Sequence, residues 1–437
     1  MKSFTIARIL LTALLRQSPR TAYWRAATLA REVAALRRPR NLGFRRQVIK
    51  EMRTYLISGA RPVAGETDIR MQAAVGWILR AQAAAGDGGV ALGYFPCDDR
   101  VTGWRPSYPE TTGYIITSLL AYARRFGDAA VAEAAMRMAY WEVSVQMPSG
   151  AVQGGAVCHA ERQTAAAFNT GMVLDGWCSA YVHSRDATIL EAARRAADFL
   201  LQDLDDQGFF RTNGAFVSTG EIKTYTCLCA WAIYRFGDIT NDERYRHAAV
   251  RSIEAAVRQQ QHNGWFAHNC LNRSDAPLTH TIGYTLQGIL EVGILAGRPD
   301  FILAVEQTLA QLLPKSSAAG YLPGRFFADW EPACFSSCLT GAAQIAIICY
   351  RYADHTGKLV YRQHADKLLN FLKACQQMQS VDADMVGALA GSYPLFGGYM
   401  RAGYPNWATK YFVDALMLQD AACQPERTPS VQCGVLS

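Results

Sequence analysis

Side chains that can transfer protons recur at one kind of place in this chain, where an apolar helical segment begins. Glu110 lies four residues before Tyr114, and His280 lies four residues before Tyr284. Residues four apart share a helix face, so each pair points in one direction. Glu221 opens a further such segment. The candidate catalytic residues are therefore Glu110, Glu221, His280, Tyr284 and Tyr114.

Two kinds of chemistry suit this set. A pair of carboxylates such as Glu110 and Glu221 hydrolyses a glycosidic bond, one as acid and the other as base or nucleophile. Tyr, His and Lys instead suit proton abstraction beside a uronate carboxylate, as in a lyase or a C5-epimerase. Helix capping explains single Glu, Asn or Thr residues at helix starts, but it does not call for His, Tyr and Lys one turn further in. The residues leave the three reactions open.

The loops that lead into the same segments are rich in aromatic residues mixed with Arg, Lys and Asn. A pyranose ring has apolar C–H faces and hydroxyl edges, which aromatic rings and polar side chains match. Cationic side chains neutralise a uronate carboxylate. The candidate substrate-binding residues are Trp104, Tyr108, Asn169, Lys223, Trp265, Arg325, Trp330, Arg401, Tyr404, Asn406, Trp407 and Lys410.

A repeat positions these residues. In each unit a helix with one charged face ends near a Gln, a Gly-rich or aromatic loop follows, and a second helix is apolar on nearly every side, as a doubly buried helix must be. The first helices are predicted at 67–84, 128–145, 187–203, 242–260, 300–313 and 360–378. The second helices are predicted at 110–125, 167–183, 221–236, 279–296, 335–353 and 406–420.

Six alternating helix pairs predict an all-α fold, an (α/α)6 toroid of six helical hairpins over residues 63–423. Unequal loop lengths and the lack of a polar capping repeat at the C-terminal end favour a closed ring over an open solenoid. In such a ring the inner helices run in one direction, and their N-termini share one rim. We expect a basic helical leader over residues 1–62 and a flexible tail over 424–437.

The pattern over residues 63–423 resembles the α/α-toroid superfamilies, which include six-hairpin glycosidases, polysaccharide lyases and epimerases, and terpenoid cyclases. The segments 108–114 (YPETTGY) and 405–412 (PNWATKYF) are similar to toroid proteins encoded with bacterial exopolysaccharide genes. The resemblance implies a carbohydrate-active enzyme that processes an exopolysaccharide containing uronic acid, or its lipid-linked precursor. The alternatives are a non-catalytic scaffold that binds a glycan or a glycosyltransferase, and a terpenoid-cyclase-like enzyme.

Three rival motifs bear on these alternatives. Residues 203–206 (DLDD) match the Asp-x-Asp-Asp acid of class II terpenoid cyclases, but they stand at the predicted end of an outer helix. Cys158 and Cys178 resemble the zinc ligands of lanthionine-forming toroids, although Ser follows Cys178 where that family has His. Cys334 and Cys338 are four apart on a predicted helix, without the second pair of a zinc site. We predict no metal, and the lack of phosphate-binding motifs predicts no cofactor.

Charge is concentrated in the leader. The chain has 437 residues, half of them hydrophobic, and a formal net charge of +7. Residues 1–62 hold 14 Lys and Arg against two acids, so the rest of the chain carries 30 basic and 35 acidic side chains. A basic leader predicts contact through residues 1–60 with an anionic membrane or a glycosyltransferase, or packing on the toroid itself. Because the leader carries no motif of a nucleic-acid-binding fold, its charge does not predict nucleic-acid binding.

The same composition bears on location. No apolar run reaches the roughly 20 residues of a membrane span, and the short run at 9–15 lacks a signal-peptide cleavage site. Most of the twelve cysteines lie in apolar helical segments, as reduced core residues do. We predict a cytoplasmic protein, peripheral on the inner membrane, with an oligo- or polysaccharide as substrate.

Overall fold

A computed structural model describes most of the chain. The described residues are 7–9, 11, 15, 19–38, 41–57, 59–98, 101–214, 217, 221–271 and 275–423. The predicted tail, 424–437, lies outside them. In the described part of the chain no helix is long and apolar enough to cross a membrane.

The toroid consists of two rings of helices, numbered here in chain order. The outer helices are Thr67–Ala85, Ala129–Val145, Ala187–Asp203, Glu243–Val257, Pro299–Leu312 and Leu359–Cys375. The inner helices are Pro109–Phe126, Ala167–Ser184, Cys227–Thr240, Thr279–Leu295, Leu339–Thr356 and Asn406–Cys423. Within the described residues, the helices Pro19–Ala35 and Leu42–Ile57 precede the rings.

Burial separates the two rings as the periodicity predicts. The third outer helix buries Ile189, Ala193 and Ala197, which are four apart, and so it has one core face. The fourth inner helix is buried at every position from 279 to 293. Neighbouring inner helices approach closely where they carry glycine: a Cβ on Gly176 would lie 2.2 Å from the carbonyl oxygen of Gly113. Small residues therefore set the tight packing of the inner ring.

Contacts between the two ends of the repeat close the ring. The Nδ2 of Asn406, in the last inner helix, donates to Thr111 Oγ1 in the first inner helix at 2.8 Å. Arg125 Nε donates to Asp420 Oδ2 at 2.7 Å across the same pair of helices. The last inner helix also packs on the first outer helix. The prediction of a closed (α/α)6 toroid is confirmed.

Short strands tie the loops together on the side where the inner helices begin. Strands β1 (Gly93–Phe95), β2 (Gly103–Trp104) and β5 (Tyr404–Pro405) form one antiparallel sheet in the order β2-β1-β5. Strands β3 (Ser337–Cys338) and β4 (Ser392–Tyr393) pair antiparallel in a second. The loop before the last inner helix is thereby joined to the loops before the first and the fifth.

The helix Leu42–Ile57 lies on these loops. Its Phe44 and Val48 are buried. Tyr55 Oη donates to the carbonyl oxygen of Phe335 at 2.6 Å, and the backbone N–H of Leu395 donates to Glu51 Oε2 at 2.9 Å. One face of this helix is therefore held against the toroid.

Candidate active site

Glu110 is the second residue of the first inner helix, which begins at Pro109 with the backbone angle that a helix start requires. The residue is half-buried, so its carboxyl group keeps some access to solvent while most of its surroundings are protein. Within the described residues this group has neither an ion pair nor a hydrogen bond. Desolvation by burial raises the pKa of Glu110 from 4.5 to about 8. The group is therefore a protonated acid at neutral pH.

Phenol groups from five parts of the chain surround this acid. Burial raises the pKa of each phenol, and the charge of Glu110 adds to the effect, which places them around its carboxyl group. The five are Tyr114, Tyr225, Tyr284, Tyr399 and Tyr411. The rings of Tyr114 and Tyr411 lie 5.6 Å apart between centroids. All five stay protonated at neutral pH and can donate hydrogen bonds to a sugar.

His280 lies beside these tyrosines. We call Glu110, the five tyrosines and His280 the basin cluster. The His280 ring lies 4.3 Å from the Tyr284 ring between centroids, as the spacing of four predicts. Its Nδ1 is 2.6 Å from Gln344 Oε1. An amide oxygen only accepts hydrogen bonds, so Nδ1 carries the proton and Nε2 keeps its lone pair. Burial lowers the pKa of His280 to about 4, and the ring is neutral at pH 7.

Glu221 does not stand in the third inner helix, contrary to prediction. That helix begins at Cys227, after a 3-10 turn at Thr224–Thr226. The reason is local bonding: Thr226 Oγ1 donates to the carbonyl oxygen of Lys223, which competes with helical hydrogen bonds. Glu221 therefore lies in the preceding loop, where its Oε1 accepts from Lys223 Nζ at 2.9 Å.

The loop position still leaves Glu221 near the basin cluster. The charges of both Glu110 and Glu221 raise the pKa of Tyr225, after burial as the larger cause. Both carboxyl groups therefore lie near the Tyr225 hydroxyl. Lys223, predicted as a substrate ligand, is buried and bound to Glu221.

The other predicted cations differ in their partners. Lys410 Nζ lies 2.8 Å from Asp414 Oδ2 and 4.0 Å from the centre of the Tyr411 ring. Arg401 Nε lies 3.4 Å from Glu32 Oε2 in the helix Pro19–Ala35. Lys410 and Arg401 therefore each form an ion pair with a carboxylate.

Arg325 is not engaged in this way. Its Nη1 donates to the carbonyl oxygen of Ala276 at 2.6 Å, and it has no salt bridge with any residue that the structure describes. Its charge lowers the pKa of Tyr399, although burial outweighs that effect. Arg325 therefore carries an unneutralised positive charge near the basin cluster.

Tyr108 and Asn169 lie at the starts of the first two inner helices and next to each other. Burial and the charge of Glu110 raise the pKa of Tyr108, whereas a hydrogen bond from Asn169 lowers it. Asn169 Nδ2 donates to the carbonyl oxygen of Gln153 at 3.0 Å. These two predicted ligands therefore flank Glu110.

The predicted tryptophans pack within the loops. The rings of Trp265 and Trp330 meet edge to face at 5.1 Å, and Trp330 Nε1 donates to the carbonyl oxygen of Asn263. Trp104 lies 5.3 Å from the Trp77 ring. These contacts give the three side chains a packing role, and their contact with substrate stays a prediction.

Three predicted ligands near the last inner helix hold other groups in place. Tyr404 is 1% exposed, and its hydroxyl accepts from Gln47. Asn406 is fully buried and joins the last inner helix to the first. Trp407 Nε1 donates to Tyr399 Oη at 2.8 Å and so fixes a phenol of the basin cluster.

Four members of the site are not among the predicted site residues: Gln344, Tyr225, Tyr399 and Tyr411. Gln344, which orients His280, lies four residues after Thr340 and was open to the same spacing argument. Tyr399 and Tyr411 lie in the aromatic segment 399–412, but other residues of that segment were chosen. The rotation of the last inner helix places Tyr411 and the path of the preceding loop places Tyr399, and no local pattern contains either.

The structure places the terpenoid-cyclase-like acidic motif and the cysteine pair 334/338 away from the roles that those motifs imply. Asp203 ends the third outer helix, where Oδ1 accepts from Thr212 Oγ1 at 2.6 Å. Its carboxyl group therefore stabilises a turn on the outer ring. Cys338 is in strand β3, so Cys334 and Cys338 do not share a helix face as predicted. Among the described residues no group of His, Cys, Asp and Glu is arranged to hold a metal ion.

A second polar region lies between the C-terminal halves of the inner helices. Here a cavity of about 60 Å³ is lined by Ser118, Trp231 and Gln287, among others. We call this region the ion-pair cavity because three salt bridges line it. They are Asp175 with Arg235, Glu291 with Arg351 at 2.7 Å, and Asp414 with Lys410 at 2.8 Å.

Solved structures share this architecture. An unsaturated glucuronyl hydrolase specific for heparin matches with a TM-score of 0.66 and 14% identity, over 82% of this chain and 98% of that one. The glycosaminoglycan-degrading unsaturated glucuronyl hydrolase of Bacillus sp. GL1 gives 0.64 and 16%, over 81% and 96%. A mutant of the unsaturated glucuronyl hydrolase of Streptococcus agalactiae in complex with dGlcA-GalNAc6S gives a TM-score of 0.59 and 12% identity, over 84% of this chain and 94% of that one.

These likenesses define the class of fold, the six-hairpin α/α toroid found in glycosidases. At such low identity they show the fold alone. No family model matches the chain, and no curated protein matches it.

Proposed function

We propose that this protein is a glycoside hydrolase that acts on an oligosaccharide containing uronic acid, with Glu110 as the general acid. The observation that carries the proposal is the uncompensated burial of Glu110, which raises its pKa to about 8. Departure of a sugar requires protonation of the glycosidic oxygen by an acid that is still protonated at the working pH. Glu110 meets that requirement at neutral pH.

The neighbouring groups have complementary roles in this proposal. Glu221, ion-paired with Lys223, supplies the second carboxylate, as base or nucleophile. The phenols of the basin cluster and neutral His280 bind sugar hydroxyl groups. Arg325, which has no carboxylate partner in the described structure, binds the uronate carboxylate.

Hydrolysis is favoured over elimination and epimerisation for two reasons. The similar solved structures are hydrolases by name. Elimination and epimerisation begin with removal of a proton, whereas the most perturbed accessible group in the basin cluster is an acid that holds its proton.

Product analysis tests this choice. The protein is incubated with oligosaccharides that end in an unsaturated or a saturated uronic acid, with Glu110→Gln as the matched variant. Hydrolysis of an unsaturated end releases a sugar that loses its conjugated double bond, a lyase creates such a bond, and an epimerase changes neither chain length nor absorbance. We expect released monosaccharide from the wild type and none from the variant. Binding without any product would contradict the proposal and favour the non-catalytic scaffold.

We also propose exopolysaccharide assembly as the setting and the cytoplasm as the location. The similarity of segments 108–114 and 405–412 to proteins of exopolysaccharide gene clusters supports the first, and the reduced core cysteines support the second. The basic leader supports a contact of residues 1–60 with the inner membrane or with a glycosyltransferase. Comparison of polymer length in cells with and without the protein tests the setting.

A further inference from the structure

The helix Leu42–Ile57 has an outward face that the toroid leaves uncovered. Its inward residues, such as Phe44, Val48 and Tyr55, recur at helical spacing and contact the toroid. Leu42, Ile49 and Leu56 recur every seven residues on the opposite side, and they are 47%, 56% and 53% exposed. Two turns of helix separate successive members, so they form one apolar stripe.

Cations flank this stripe. Arg45, Arg46 and Arg53 are exposed and lie on the same outward half of the helix, and Lys50 is exposed at its edge, where it lines the groove between this helix and residues 373–381. Within the described residues none of the four has a salt bridge. The one acid of this helix, Glu51, points inward and accepts from the backbone of Leu395. The outward face therefore combines apolar side chains with uncompensated positive charge.

We propose that this face, which we call the basic stripe, lies on an anionic lipid bilayer. Helices that bind in the plane of a membrane combine an apolar stripe with Arg and Lys, whose long side chains extend to the headgroups. The rest of the chain, with 30 basic and 35 acidic residues after position 62, is repelled by the same surface. The opposed charges orient the protein with the leader towards the lipid.

The basic stripe alternates apolar and cationic residues around one half of the helix, which favours lipid over a protein partner. A bilayer takes up both kinds of side chain at any position along the helix, whereas a protein surface must match each one. The proposal does not depend on the proposed hydrolysis.

Sedimentation with vesicles tests the proposal. The full-length protein is mixed with vesicles of phosphatidylglycerol and phosphatidylcholine in equal parts, and with vesicles of phosphatidylcholine alone. We expect binding to the first only, weakened by salt because exposed charges are screened. The triple change of Arg45, Arg46 and Arg53 to Gln is expected to weaken binding by about fivefold per cation, or roughly a hundredfold. The triple change of Leu42, Ile49 and Leu56 to Ser is expected to abolish it.

Matched variants on the toroid control for charge and hydrophobicity. The change of Arg137, Arg162 and Lys367 to Gln removes three exposed cations, and the change of Leu303, Leu359 and Val360 to Ser removes three exposed apolar groups. Both are expected to bind like the wild type, and thermal melting checks that all four variants fold. Equal binding of stripe and control variants would overturn the proposal. So would binding that needs a glycosyltransferase in the vesicles and fails with lipid alone.

Discussion

The two ends of the barrel treat buried charge in opposite ways. In the ion-pair cavity each carboxylate has a cationic partner, as in Asp175 with Arg235 and Glu291 with Arg351. In the basin cluster the half-buried Glu110 has no cationic partner among the residues that the structure describes, and its pKa is raised to about 8. A buried charge must be paired or neutralised, and the two ends use one solution each.

The difference bears on the proposed hydrolase function. Paired charges are held in place and have little tendency to exchange protons, whereas an unpaired acid that holds its proton at neutral pH can transfer it. Lys410, predicted as a substrate ligand, instead lies at the boundary and pairs with Asp414. The ion-pair cavity therefore supports the barrel, and the basin cluster is the candidate for catalysis.

The largest expected effect is the loss of turnover in Glu110→Gln. Removal of a general acid lowers the rate by roughly 10²- to 10⁴-fold, and the amide keeps the shape of the side chain. Steady-state rates on an oligosaccharide that the wild type hydrolyses measure it, with thermal melting as the control for folding. A variant that melts early and keeps its rate per folded molecule would reverse the assignment of the two ends.

The ion-pair cavity should respond in stability instead. Asp175→Asn leaves the buried Arg235 without its carboxylate, and loss of one partner of a buried pair costs about 3–5 kcal/mol. Urea unfolding measures the free energy. The double variant Asp175→Leu and Arg235→Met removes both charges and is expected to recover much of the loss. Equal stability of wild type and Asp175→Asn would show that the pair contributes nothing.

The pH dependence of Glu110 gives a third, smaller effect. Below pH 4.5 the carboxyl is protonated in both folded and unfolded chains; between 4.5 and 8 only the unfolded chain releases the proton, so the folded wild type loses stability as pH rises. In Glu110→Gln the side chain does not titrate, so this variant does not lose that stability as pH rises. Its stability relative to wild type should rise over that window by about 1.4 kcal/mol per unit of pH at most, and wild-type activity should fall above pH 8. A difference independent of pH would contradict the raised pKa.

The smallest effect concerns the imidazole. Gln344→Glu places a carboxylate beside Nδ1 of His280 and is expected to raise the pKa of His280 from about 4 by roughly 1–3 units. Gln344→Met removes the hydrogen bond that raises this pKa, so it should stay at or below its present value. NMR titration of the imidazole C–H protons measures both. An unchanged pKa of His280 in Gln344→Glu would show that residue 344 does not contact the imidazole.

Prediction from sequence succeeded where the determinants were local. Helix periodicity located most helices within a few residues, and the spacing of four placed His280 beside Tyr284. It was wrong at the starts of the third and fifth inner helices. At the fifth, Ser337 pairs with Tyr393, a residue 56 positions away, and the strand delays the helix until Leu339. A long-range backbone pair leaves no trace in a local pattern.

By itself the sequence determined the alternation of outer and inner helices, because burial on one face or on all faces is written into residue periodicity. It also determined that proton-transferring groups stand where inner helices begin. Only the tertiary structure decided that Glu110 has no cationic partner among the described residues while Arg401 has Glu32, which lies in a helix before the toroid. The reason is physical: the pKa of a side chain depends on the desolvation and the charges that surround it, and those come from segments far apart in the chain.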